Sequence, residues 1–147
     1  MNEKDKRWAK TIIDYCNRIE NYLNRFDDDK EIYLSDSLYK DACALVIIQI
    51  GEFANRFSDE FREEYDGIEW GQLIGLRNIT AHNYENIVDD IFWEIMQDDV
   101  PEIKQYLEKI DAKFYITNFA YYPATPILIK KLIKNLKQAL KQKIKSY

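Results

Sequence analysis

The sequence predicts an all-α protein: an antiparallel bundle of four to five helices followed by an additional basic amphipathic helix. Three observations carry that expectation. Apolar residues recur at spacings of three and four over long stretches, the period of a helix with one buried face. Four Gly and three Pro in 147 residues leave little turn material for a many-stranded sandwich or barrel. With 46% of residues hydrophobic and 32% charged, the chain has the composition of a globular domain able to fold without disulfide or metal staples.

From Lys6 to Phe26 the residues Trp8, Ile12, Tyr15, Ile19, Tyr22, Leu23 and Phe26 form one stripe, so a first amphipathic helix is expected there, closed by Asp27-Asp28-Asp29. Ser35 or Asp36 can cap a second helix that reaches Gly51 and extends toward Phe57. Its Ala42–Ile48 run is apolar all round, which marks a central helix. Ser58 can cap a short turn over Glu60-Phe61-Arg62-Glu63, and a third helix should start near Trp70. Gly71 and Gly75 share a face of that helix, and their cost in helix propensity suggests close approach of another backbone. Ile87, Ile91, Phe92 and Ile95 predict a fourth helix, and Pro101 opens a fifth through Ile103, Leu107 and Ile110. The bundle is expected over residues 1–114. Residues 115–147 would supply a connector, Tyr121-Tyr122-Pro123-Ala124-Thr125-Pro126, and the basic helix, with Ile129, Leu132, Ile133, Leu136, Leu140 and Ile144 docking it on the same domain.

Charge is divided unevenly. Residues 1–111 carry all 26 Asp+Glu and 13 of the 21 Lys+Arg, a balance of −13, whereas residues 112–147 carry eight Lys and no acid. The basic tail therefore suits something anionic: nucleic acid, a partner, a membrane surface or the acidic body itself. Cys16 and Cys43 are too few for a secreted disulfide framework, and with His82 the only histidine no zinc-ligand spacing arises. The longest apolar run is the seven residues Ala42–Ile48, far short of the ~20 that span a bilayer. A cytoplasmic protein with no membrane partner is expected.

One constellation carries chemistry. Around the sole histidine stands Gly75-Leu76-Arg77-Asn78-Ile79-Thr80-Ala81-His82-Asn83-Tyr84. On a helix Asn78 and His82 share a face, and Arg77 and Tyr84 share a neighbouring one. The planar fork of Arg suits a phosphate, and an imidazole can give or take a proton at cellular pH. Phosphodiester cleavage fits such a set, because RNA brings its own nucleophile in the 2′-hydroxyl. In-line attack needs both a base and an acid, and a symmetric dimer would bring a second His82 to the same cleft.

At these residues the chain resembles the HEPN domains and, within them, the HepT-like toxins of toxin-antitoxin pairs. The resemblance runs from about Asp36 to Leu107. It includes Ile50-Gly51-Glu52-Phe53-Ala54, Ile68-Glu69-Trp70, the Arg77-Asn78 and His82-Asn83-Tyr84 motif, Trp93 and Val100-Pro101. It implies a helical bundle that forms a homodimer with its motifs facing one cleft and acts on RNA as a metal-independent endoribonuclease, with no cofactor. Arg77 and His82 match the catalytic pair, and Asn78 matches the polar residue after the Arg. It also implies that an MntA-like nucleotidyltransferase antitoxin transfers AMP to Tyr84 and silences the toxin. Glu52 fits the family's Gly-Glu element and is a candidate to orient Arg77, although a solvated helix carboxylate explains it equally. Trp70 and Trp93 read as core, and Asp89-Asp90 and Asp98-Asp99 as solvated helix-end charges. The tail beyond Phe114 departs from the compact family pattern. A competing reading is a non-catalytic HEPN module whose cleft holds a nucleotide or the partner transferase. A purely structural bundle would leave the motif without a role.

Overall fold

The computed structural model describes the backbone of residues 1–82 and 89–120 and the side chains of residues 1–78 and 89–114. No strand occurs among the described residues, so the all-α class read from the periodicity holds. Two compact units divide the chain, Met1–Asp111 and Ala112–Tyr147.

In the first unit, α1 (Glu3–Arg25) begins at Asn2, whose side chain accepts from the Asp5 amide. It buries Ala9, Ile12, Cys16, Ile19 and Leu23. Asp27 and Asp28 then turn the chain through the left-handed region, at φ 53° and 57°, which short polar side chains tolerate better than most. Asp29 caps a helix absent from the sequence reading, α2 (Lys30–Ser35), by accepting from the Glu31 and Ile32 amides. Next, α3 (Ser37–Ala54) is capped by Asp36 and packs against both α1 and α5. Its Cys43, Val46, Ile47 and Ile50 are sealed from solvent, but Leu45 in the middle of the all-round apolar run is 57% exposed, so the helix is central on one side only.

Ser58 caps α4 (Asp59–Glu64), accepting from the Phe61 amide. Its own amide and hydroxyl donate to the two carboxylate oxygens of Asp5, at 2.9 and 2.7 Å. Asp5 is only 2% exposed, and these charge-assisted bonds are what makes its burial tolerable. After α5 (Trp70–His82) come α6 (Asp89–Glu94), a π-helical turn (Ile95–Asp99) and α7 (Val100–Ala120). Val100 donates to the Ile95 carbonyl, five residues back. The fourth and fifth predicted helices are therefore joined without a loop. Pro101 has no N–H to offer, and a widened turn just ahead of it accommodates that loss.

Two expectations need correction. No described atom outside α5 lies within 4 Å of a Cβ placed on Gly71 or Gly75, so neither marks a close approach. The crowded glycine is Gly51 on α3, whose Cβ would stand 2.8 Å from the Leu73 carbonyl oxygen and 3.1 Å from the Arg77 nitrogen. Asp89 and Asp90 are not merely solvated: they pair with Lys40 at 3.1 Å and Lys30 at 2.7 Å, pinning the start of α6 to α3 and α2. Trp70 is buried and Trp93 packs half-buried against the core, so both are core residues as read. In the second unit, the described part is the end of α7, which continues past Phe114 to Ala120. The connector Tyr121–Pro126 and the basic segment 127–144 lie outside the described residues. No helix among the described residues is long and apolar enough to cross a membrane.

Candidate functional site

Close packing of α3 on α5 sets the site. Because Gly51 has no Cβ, the two backbones approach within the distance a side chain would occupy. The next residue, Glu52, is then in reach of α5. One of its carboxylate oxygens lies 3.5 Å from a guanidinium nitrogen of Arg77, and the other lies 3.5 Å from Arg56, four residues on, in the turn just beyond the end of α3. Glu52 thus stands between two guanidinium groups, and the Gly-Glu pair in the sequence acquires a physical meaning. Gly51 supplies proximity and Glu52 supplies charge.

These contacts are loose. The side chains of Arg77, Glu52 and Arg56 are 35%, 38% and 44% exposed, and exposed pairs of this kind contribute at most about 1 kcal/mol. Such a carboxylate can hold Arg77 in a preferred direction, and an arriving phosphate offering bidentate geometry can displace it. Arg56 is held additionally by aromatic faces, 4.7 Å from the ring centre of Phe53 and 5.3 Å from that of Trp8.

Asn78 follows Arg77 on α5 and is exposed, and His82 is the last residue of the helix. The helical backbone runs unbroken from Asn78 to His82, which puts the two one turn apart on one face. The His82 side chain and all of Tyr84 lie outside the described residues, as does the juxtaposition of Tyr84 with Arg77. Arg56 was not singled out from the sequence. Its spacing of four from Glu52 was the available signal.

A cavity of about 430 Å³ lies elsewhere, lined by Ile68, Leu73, Leu76, Ile95 and Ile103, with Asp99 and Glu102 among its acids. Burial, then the neighbouring Asp98 and Glu102 charges, push the Asp99 carboxyl upward. Neither Arg77 nor Glu52 lines it, so this cavity is not the Arg77 site. Both thiols are buried in the core. Burial, foremost, pushes Cys16 and Cys43 up to about 12, which leaves them protonated and chemically quiet.

The sequence pattern of a family described as Ribonuclease HepT-like matches residues 12–110. Among curated relatives, a protein of Methanocaldococcus jannaschii that carries the provisional name of an RNase is 28% identical over 109 residues, covering 74% of this chain and 98% of that protein. A second protein of the same organism, similarly named, is 30% identical over 111 residues, 75% of this chain and 94% of the relative. A third, from Caldanaerobacter subterraneus and again provisionally an RNase, is 26% identical over 80 residues, 54% of this chain and 71% of its own. No solved structure matches the chain significantly.

Proposed function

Because this chain belongs to the HepT-like ribonuclease family, we propose that it is the toxin of a toxin-antitoxin pair, a metal-independent endoribonuclease whose reacting groups are Arg77 and His82. The observation that carries the reading is Arg77 itself. It is tethered by a displaceable carboxylate, on the helix that ends at the sole histidine. Arg77 would bind the scissile phosphate and neutralise charge growing on its non-bridging oxygens. The RNA 2′-hydroxyl oxygen attacks the adjacent phosphorus as one His82 takes its proton. The bond from phosphorus to the 5′ oxygen breaks, and a protonated His82 of a second copy delivers a proton to that leaving oxygen. The products are a 2′,3′-cyclic phosphate and a 5′-hydroxyl. Asn78, on the His82 face, would donate to the same phosphate.

The need for two imidazoles supports a homodimer. So do Leu38 and Leu45, 77% and 57% exposed and two turns apart on α3. Apolar residues at that spacing make a ridge a second copy can cover. Control would act at Tyr84. Its phenol oxygen attacks the α-phosphorus of ATP in the active site of an MntA-like nucleotidyltransferase antitoxin, pyrophosphate leaves, and the tyrosine carries AMP. That phosphodiester places negative charge where RNA phosphate must bind.

The test is cleavage of single-stranded RNA by unmodified protein in EDTA, with cyclic phosphate ends. Arg77→Ala and His82→Ala should each lower the rate at least 100-fold. Cleavage that survives both substitutions refutes the assignment. Tyr84→Phe should remain a nuclease and resist silencing by transferase and ATP, and AMP found only on other tyrosines refutes the regulatory role.

A further inference from the structure

We propose that the shelf formed by Trp8, Phe53 and Tyr15, with the guanidinium groups of Arg18 and Arg56 over it, is a track on which single-stranded RNA lies as it leads to Arg77. The proposal deepens the ribonuclease reading and rests on it for the identity of the nucleic acid.

The body of the protein is a poor surface for RNA, since residues 1–111 carry a balance of −13. One face of α1 is the exception. At about 100° per residue, Arg7, Trp8, Tyr15, Arg18, Tyr22 and Arg25 fall within an arc of about 100°, which contains Lys4 as well and no acidic residue. Asp14 stands just outside its edge. The arc is a shoulder of the buried face, so its aromatic rings are half-buried and its cations exposed.

The structure shows what lies along it. Phe53 of α3 sits between two rings of α1, its centroid 5.6 Å from both Trp8 and Tyr15. Arg56 stands over Trp8 and Phe53, and Arg18 over Tyr15 at 5.2 Å. Aromatic faces interleaved with cations are the elements single-stranded nucleic acid uses: bases stack on rings and phosphates meet guanidinium groups, without sequence readout. The strip also has a direction. Its Arg56 end joins Glu52, and Glu52 joins Arg77. From Trp8 to Tyr22 the helix rises about 21 Å, enough for several stacked nucleotides.

The experiment uses the full chain, a fluorescein-labelled oligouridine and a cleavable single-stranded RNA. Arg18→Gln removes one exposed cation, and Tyr15→Leu keeps apolar packing while removing the ring. Each should weaken oligouridine binding by about tenfold, raise KM for cleavage by the same factor and leave kcat unchanged. Arg18→Gln should also reduce the slope of log affinity against log salt by about 0.7. A chain that binds oligouridine through these residues but does not cut RNA fails the ribonuclease reading and leaves the track standing. A chain that cuts with KM unaltered in both variants overturns the track. It is equally overturned if the substitutions change the oligomeric mass in light scattering and not the RNA affinity, since the strip is then a contact between copies.

Discussion

Replacing Gly51 by Ala should separate the contributions of helix propensity and helix packing. At an unobstructed helical position this change stabilises by about 0.5–1 kcal/mol, because Ala loses less backbone freedom than Gly. At Gly51 the new Cβ would meet the Leu73 oxygen at 2.8 Å, where ordinary contact begins at 3.4 Å. The obstacle is backbone, so α5 must move by roughly 0.6 Å as a body, and overpacking of that kind costs about 1–3 kcal/mol. The net expectation is a loss of about 1 kcal/mol, or about 3 °C in Tm for a chain of this size. Gly75→Ala, with nothing described within 4 Å of its Cβ, should instead gain up to about 1 kcal/mol. Thermal and urea unfolding of both variants beside the parent is the assay. Displacing α5 also draws Arg77 from Glu52, so any RNA cleavage by Gly51→Ala should fall further than its stability loss accounts for. If Gly51→Ala unfolds at the same temperature as Gly75→Ala or above it, the close-approach argument is wrong.

Asp5→Ala should cost about 3 kcal/mol, because the Ser58 amide and hydroxyl lose their acceptor in a buried corner, and an unchanged urea midpoint would refute that. Cys16 and Cys43, sealed from solvent and pushed up to about 12, should resist a disulfide reagent at pH 8 on the native protein and react together once urea unfolds it; labelling within seconds under native conditions would contradict the burial. Gly67→Ala should destabilise by about 1 kcal/mol, because its Cβ would push aside the end of the Tyr106 side chain and break the hydrogen bond in which the Tyr106 hydroxyl accepts from the Gly67 amide at 3.0 Å. Tyr106→Leu in the same background should recover part of that loss, measured as a double-mutant cycle.

What the sequence disclosed, and what it withheld, follows from which forces act locally. The three- and four-residue spacing of Ile12, Tyr15 and Ile19 reports a helix because burial repeats with the helical period, and Asp36 and Ser58 report helix starts because a cap bonds amides only three residues away. The Lys30–Ser35 helix has one turn and a half, too short for any period to register. The π turn depends on how Pro101 is seated, which composition does not encode. Which glycine lies between helices was unreadable for a related reason. Gly51, Gly71 and Gly75 look alike along the chain, and only the crossing of α3 over α5 decides among them. At the candidate site, the motif spacing singled out Arg77 and the Gly-Glu element singled out Glu52, and a spacing of four was the local sign of the Glu52–Arg56 pair, but the aromatic shelf brings together residues up to 48 positions apart, Trp8 and Arg56, and no local pattern announces that.

The bond from Ser58 to Asp5 spans 53 positions, and that interval bears on the order of assembly. When the chain emerges from a ribosome, the carboxylate of Asp5 waits in water until α3 has formed and residue 58 has followed it out. Only then can it enter the interior already paired, avoiding the penalty of drying a lone charge. The first helix is thus fastened late at its beginning, and later still near its other end, where Glu20 meets Lys104 at 2.7 Å. The Ser58 amide, sheltered behind its carboxylate acceptor, can trade its proton with solvent only when that corner opens. Its exchange rate would therefore report how often the N-terminal helix lets go of the rest.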